Sequence, residues 1–416
     1  MLKKLDLTSV ITFLIGLAIV ATWVSQSVLD FATGLIAVLA VVSLFRAETR
    51  AELFSNSNLN RVFPWMAVYF VVACLGYYFN GRPEADVLFC LTRFSWILLL
   101  YTLAWGFRYF DENRPSLKWF FYLLLIPALY GFNIFFNSNG TDWLKGKFAD
   151  GRIIGLVQSA TYHSHIGGFL AVVLICWLHL KYFESYKKSF FSSLFSQKTL
   201  HWLVALIVFL SVLFSQTRGA LLSIIVALGI FFLVKHGWGF VKWVVAPLMV
   251  LAVFLYFKIP VMDYLVRKDG DGCRKLLALV HVEMVKTHPL LGIGYRDNMR
   301  QIADYWPEHL RSPNCEWARV EGSQAHNQIL NVAGTTGLLG LFSYLGIVIW
   351  FFILNIRWYR QDRSDLALVC LIAQIYFQMS CLTEISFEFA KIRVLVLMVW
   401  ALVVVRAPFT SRPKAS

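Results

Sequence analysis

The sequence predicts an all-α integral membrane protein of about twelve transmembrane helices, with one large helical loop inserted before the tenth. Three observations predict this fold class. Hydrophobic residues make up 58% of the 416 positions and charged residues only 15%, against roughly 45–50% apolar in soluble globular chains. The apolar residues fall into runs near the roughly 20 residues with which a helix crosses a bilayer. Between the runs lie short loops carrying Lys and Arg, apart from one much longer polar interval at about 259–334. The simplest partition is one polytopic membrane domain, 1–416, with that interval as its insertion.

The apolar runs fall near 8–25, 28–45, 62–79, 87–107, 119–136, 165–181, 200–216, 220–235, 242–258, 335–356, 366–387 and 392–406. The first follows Met-Leu-Lys-Lys and resembles the core of a signal peptide, but no small-x-small cleavage site follows it, so it is read as a retained span. Lys and Arg in short loops mark the cytoplasmic side. With the N-terminus inside, the loops holding Arg46, Arg50 and Arg61, then Arg108, Arg114 and Lys118, then Lys181, Lys187 and Lys188, then Lys235 and Lys242, then Arg357, Arg360 and Arg363 all fall inside. The tail with Arg406, Arg412 and Lys414 does too, which makes both termini cytoplasmic. The turn holding Arg218, the tract 137–165 with Lys145, Lys147 and Arg152, and the long loop then face outward. Basic residues are normally scarce on that side, so an anion is expected to bind there.

The formal charge of +14 would suit nucleic acid if it were gathered on one surface. Here it is broken into clusters between apolar runs, which fits anionic lipid headgroups and topology signals, so membrane lipids are expected as partners and nucleic acid is not.

Within the long loop, Leu276, Leu277, Val280 and Met284 line one face of a helix expected over Cys273–Thr287, which His288-Pro289 ends. A second short helix is expected over Asp297–Trp306. Both would lie on the membrane surface and cap a cavity between the spans. Cys273 and Cys315 are the two cysteines in this outward loop, and a bridge between them is left open because their separation cannot be read from sequence.

Several residues here carry chemistry. Arg218 ends the seventh run in SQTRGA and is followed by Gly219, which permits a tight reversal; a snorkelling interfacial anchor is the alternative reading. Arg274 begins the first loop helix, where the helix dipole disfavours a cation, and this hints at a partner anion. Two guanidinium forks converging from different elements would suit a diphosphate. His326, in AHNQIL, could act as a general base near neutral pH, although a lone histidine is more often structural; His281, His288 and His309 are weaker candidates. Asp269-Gly270-Asp271 has the form of a carboxylate pair for a divalent cation, but Gly/Asp turns are common, so no metal is expected. Arg93, inside the fourth run, should face the bundle interior, where it would extend the basic site or pair with Glu384 or Glu388.

Three of these stretches together resemble the O-antigen ligase and O-antigen polymerase superfamily of bacterial envelope glycosyltransferases. The stretches are Ser-Gln-Thr-Arg218-Gly219 at the end of a span, Arg274 upstream of HPLLGIGYR, and His326-Asn327 followed by Gly-Leu-Leu-Gly at 337–340. The resemblance covers about residues 200–360. Members often carry Ser where this chain has Thr217, and Trp where it has Ala278. The resemblance implies transfer of a glycan from an undecaprenyl diphosphate donor at the periplasmic face of the bacterial inner membrane, inverting, with no metal, nucleotide or other cofactor. His326 would be the catalytic base, Arg218 and Arg274 would hold the diphosphate, and Arg152, Arg93, Asn327 and Tyr295 would support them. The chain's length, loop size and loop position look most like a ligase, whose acceptor is lipid A–core oligosaccharide. A polymerase, with another lipid-linked repeat unit as acceptor, is the nearer alternative; a transporter or flippase of lipid-linked sugars is the non-enzyme alternative, for which repeats and broken midplane helices would be expected.

Overall fold

The computed structural model describes residues 6–81, 91, 94–137, 155–157, 159–186, 197–215, 217–239, 268–295, 301–306 and 324–408. The regular elements among them are helices, with no strand, and residues 302–306 of the second expected loop helix are turn and coil. In chain order the helices are α1 (Leu7–Val24), α2 (Gln26–Ser43), α3 (Ala47–Phe54), α4 (Ser57–Gly76), α5 (Ser95–Phe107), α6 (Pro115–Leu123), α7 (Leu125–Asn137), α8 (Ala160–Tyr186), α9 (Gln197–Phe214), α10 (Arg218–His236), α11 (Lys268–Thr287), α12 (Gln328–Asp362), α13 (Asp365–Cys381) and α14 (Ala390–Arg406).

Eight helical segments among the described residues are long and apolar enough to cross a membrane, and α5 and α13 are apolar but shorter. The expected run at 242–258 lies outside the described residues. The run at 119–136 is a pair of helices, α6 and α7, meeting at Leu124. Pro127 has no N–H to give to the carbonyl of residue 123, so the helical ladder lapses there. The tenth run is longer than its apolar core suggests, since α12 reaches back to Gln328 and on to Asp362, where Arg363 at φ +50° ends it.

Polar side chains set the starts of these helices. Asp6 accepts from the Thr8 amide, Asn56 from Asn58 and Leu59, Asn327 from Leu330 and Ser364 from Ala367, each satisfying an N–H that the first turn leaves open. The bundle interior is aromatic: Trp23, Trp96, Trp105 and Trp400 are almost fully buried, and Trp400 stacks on Phe351 with ring centroids 4.3 Å apart. Large apolar side chains such as Phe31, Val42, Leu98, Ile225 and Phe342 remain exposed on outer faces, the arrangement a hydrocarbon solvent favours.

The two ends of the bundle differ. At one, Arg114 pairs with Asp6 at 2.6 Å, Lys235 with Asp365 at 3.6 Å, and Arg406 donates to the Phe110 carbonyl at 3.2 Å. At the other, α8, α10 and α12 begin, and the segment joining α13 to α14 turns back.

One joint fixes the long loop to this second end. Inside α12 the backbone leaves helical geometry at Gly337, φ +66°, which frees carbonyls and amides that must be satisfied within a bilayer. The Pro-Leu-Leu-Gly-Ile-Gly turn supplies the partners. Ile293 donates to the Gly334 carbonyl at 3.2 Å and Gly294 to Thr335 at 2.9 Å, while Leu338 donates to Pro289 at 2.8 Å. Gly292, also at φ +66°, and Gly337 lie so close to the opposite backbone that a Cβ on either would overlap it. Two motifs that look separate in the sequence are the two halves of one backbone clasp.

Candidate active site

The site is built on the segment between α13 and α14. After α13 the chain tightens: Thr383 and Glu384 both donate to the Ser380 carbonyl, at 3.1 and 3.0 Å. A short 3-10 turn, Ser386–Glu388, follows. Ser380 and Ser386 share a hydroxyl hydrogen bond of 2.7 Å, and the Phe387 amide donates to Gln328 at 3.1 Å. The turn is thereby held against the start of α12, and Glu384 is held within it.

His326 enters from α12. It sits immediately before the capping residue Asn327, at φ +48°, a left-handed conformation that costs a non-glycine residue on the order of 1–3 kcal/mol. Asn327 accepts from Leu330 at 3.0 Å and donates through its amide to the Leu382 carbonyl at 3.2 Å, so it both starts α12 and ties it to the Glu384 turn. The result is a 2.8 Å contact between His326 Nδ1 and Glu384 Oε2. Because a carboxylate only accepts, Nδ1 carries the hydrogen; in the neutral imidazole Nε2 then keeps a free lone pair.

Arg274 enters from α11. Buried Cys273, Leu277, Val280 and Met284 pack that helix with Ile293, Ile302 and Trp306, and Gly334 of α12 lets the His281 ring come close. From there Arg274 Nη2 donates to Glu384 Oε1 at 3.3 Å. The helix begins at Lys268, not Cys273, so Arg274 stands beyond the first turn, where the dipole effect has faded. The unfavourable helix-end position expected for Arg274 is therefore not found, and its observed partner is the Glu384 carboxylate.

Glu384 is 4% exposed, Arg274 44% and His326 27%. The carboxylate is the floor, and the more exposed Arg274 and His326 side chains stand on it. Burial alone would raise the Glu384 pKa, but the His326 hydrogen bond, with His326, His165 and Arg274 nearby, holds it below the ordinary carboxylate value. Glu384 is therefore ionised at neutral pH.

Arg218 opens α10, with Thr217 as the preceding cap residue. Thr217 accepts from Ser164 of α8 at 2.6 Å, and Ser164 also meets Ser215 at 2.7 Å, so three helix ends share one hydroxyl cluster. Gly219 abuts Thr383 with no room for a Cβ. That contact sets the residue after Arg218 against the residue before Glu384.

Tyr295 takes a different direction. Its hydroxyl donates to Glu388 Oε2 at 2.9 Å, its carbonyl accepts from Tyr77, and Gln328 donates to Glu388 Oε1 at 3.5 Å. This buried network braces the clasp beneath the site. His281 is also structural: its Nδ1 lies 2.8 Å from the Leu277 carbonyl, and burial pushes its pKa down to about 4. His165 is fully buried, its ring makes no hydrogen bond among the described residues, and it lies within electrostatic range of Glu384.

Arg93, Arg152, His309 and Cys315 lie outside the described residues, as do the side chains of Asp269 and Asp271. Cys273 is disulfide-bonded. Among the described residues no group of three or more His, Cys, Asp or Glu is arranged to hold a metal ion.

Sequence reasoning missed Glu384 as the partner of His326. The available signal is an acid in SCLTEISFEFA, at the edge of an apolar run where a carboxylate needs a partner, a place for which the sequence suggests Arg93.

Residues 203–345 match the family model described as O-antigen ligase. The matched segment contains Arg218, Arg274 and His326 and stops before Glu384. No curated protein matches the chain.

Proposed function

We propose, from the membership of the O-antigen ligase superfamily that residues 203–345 support, that this chain transfers a glycan from undecaprenyl diphosphate to a sugar hydroxyl of lipid A–core oligosaccharide at the periplasmic face of the bacterial inner membrane. One observation carries the reading: Arg274 and His326 converge on a single buried carboxylate, Glu384. An acceptor hydroxyl presented to Nε2 of His326 gives up its proton as its oxygen attacks the anomeric carbon. The bond from that carbon to the diphosphate oxygen breaks, the electron pair leaves with the diphosphate, and the configuration inverts. Glu384 holds the imidazole through Nδ1–H and stabilises the imidazolium that forms.

Arg274 spends one N–H direction on Glu384, and a guanidinium has five donors. Glu384 is the one partner of Arg274 among the described residues, so its other donors can meet phosphate oxygens, and Arg218 opens the neighbouring helix. Two guanidinium groups are suited to the negative charge that grows on the leaving diphosphate. This is the part a divalent cation plays in other glycosyl transfers, which is why the reading has no metal in it.

Helix direction supports an outward site. The Glu384 end is opposite the end that carries Arg114, Lys235 and Arg406, and basic loops mark the cytoplasm.

The test is in vitro transfer by the purified protein. Glycan appearing on lipid A–core supports the ligase. Elongation of the donor lipid instead would establish the polymerase, whose acceptor is a second lipid-linked unit, and absence of either product would overturn both.

A further inference from the structure

We propose that the bundle holds an anionic glycerophospholipid at the end opposite Glu384, with one acyl chain inserted between α1, α6, α8, α13 and α14. A cavity of about 350 Å³ lies there, more than twice the ~150 Å³ of an apolar cavity that stays dry and admits benzene. It is within the size range of small-ligand pockets. Its walls are apolar: Phe107, Phe120, Phe169, Trp177, Met398 and Leu402 are among the lining residues. Water gains nothing from such walls, and an empty space leaves them without contacts. An aliphatic chain fills it, and in a bilayer those chains belong to lipids.

The mouth supplies the choice of headgroup. Arg114, Lys118, Lys181, Glu112 and Asn113 stand at this end of the cavity. Arg114 is occupied by Asp6 at 2.6 Å and Asp111 at 3.2 Å. Lys118 and Lys181 make no ion pair among the described residues, and the Lys181 ammonium sits 4.3 Å from the centre of the Trp177 ring. Lys118 and Glu112 both act electrostatically on Lys181, so the two ammonium groups stand close together at the mouth, where a phosphodiester can meet both. Basic pockets between transmembrane helices on the cytoplasmic side are a recurrent setting for anionic headgroups.

Trp177 is both a wall of the cavity and the seat of Lys181, so its fluorescence reports occupancy. The full chain is reconstituted with a minor fraction of lipid brominated on its acyl chains, as phosphatidylglycerol or as phosphatidylcholine. Quenching of Trp177 is taken as the difference between the native chain and Trp177→Phe. Brominated phosphatidylglycerol should quench at lower fractions than brominated phosphatidylcholine, with about a fivefold shift per lysine. The difference should vanish in Lys118→Gln/Lys181→Gln. Soluble glycerol phosphate should not compete, which separates a lipid from its headgroup alone. Equal quenching by both headgroups, or a preference that survives the double substitution, overturns the proposal. Native mass spectrometry of the unsubstituted protein reads the same question without a variant: retained phosphatidylglycerol supports the site, and loss of all lipid at the charge states that keep the fold overturns it.

Discussion

Nδ1 of His326 and Oε2 of Glu384 lie 2.8 Å apart across 58 residues of sequence, and the same carboxylate holds Arg274 through its other oxygen at 3.3 Å. If His326 is the base, Glu384 sets its tautomer and its aim. Glu384→Gln keeps the volume and loses the charge, and its amide can present a donor to Nδ1, which favours the wrong tautomer. Transfer should fall by about 10²–10⁴-fold, while binding of the lipid diphosphate changes little. Single-turnover rates on prebound donor check this; unchanged turnover would leave Glu384 as a structural tether for Arg274.

The conformation of His326 allows chemistry to be separated from backbone strain. At φ +48° glycine is at ease and alanine is not. Both His326→Gly and His326→Ala should lose transfer by about 10²–10⁴-fold, but the glycine variant should melt at the higher temperature. Donor binding should survive in both. A variant that loses donor binding and keeps turnover of prebound donor would make His326 a phosphate ligand.

Arg218 and Arg274 should behave differently from His326. Alanine at either should weaken capture of the lipid diphosphate as well as turnover, because charge-assisted contacts to phosphate are lost. Lysine should restore only part, since an ammonium keeps the charge but not the fork. Titration of donor lipid against each variant gives the binding change directly, and undiminished affinity in Arg274→Ala would confine that residue to its pairing with Glu384.

His281 makes a prediction about pH. Burial lowers its pKa from 6.5 to about 4, so the unfolded chain takes up a proton that the folded chain refuses. Its share of stability is fully present above pH 6.5 and is lost as the pH falls toward 4, a change on the order of 3 kcal/mol. His281→Gln does not titrate, so its melting temperature should decline less over that interval than that of the native chain. Parallel declines would place the acid sensitivity elsewhere.

Hydropathy and charge made most of the helices legible, because bilayer thickness and the distribution of Lys and Arg act on composition alone. Arg274 and His326 stand out in the sequence as polar residues of the long loop, but their shared contact with Glu384 does not. Glu384 belongs to a turn on a different element, and only the packing of α11, α12 and α13 brings it under both. Tyr295 shows the opposite limit: it follows the Gly-Ile-Gly of the turn, close to the site in sequence, yet its hydroxyl is committed to Glu388. The break in α12 was hidden by Leu338, Leu339 and Leu341, whose apolar character continues the run through Gly337. Local sequence records that a residue is apolar or charged; it does not record which carbonyl a distant turn will satisfy.

The clasp between α12 and the Pro289–Gly294 turn gives the last prediction, in which one kind of substitution has opposite effects at two glycines. Gly337 has φ +66°, and a Cβ there would overlap the Leu290 carbonyl. Gly337→Ala should therefore destabilise by about 2 kcal/mol or more, from left-handed strain and from forced separation of the backbone pairs. Gly229, inside α10, has nothing near enough to touch a Cβ, and alanine there removes freedom from the unfolded chain, so Gly229→Ala should stabilise by about 0.5–1 kcal/mol. Because the clasp also positions α11, Gly337→Ala should weaken donor capture through Arg274, whereas Gly229→Ala should leave it intact. Thermal melting in detergent together with donor titration tests both halves. Equal melting temperatures for the two variants would mean that the clasp does not hold the loop against the bundle.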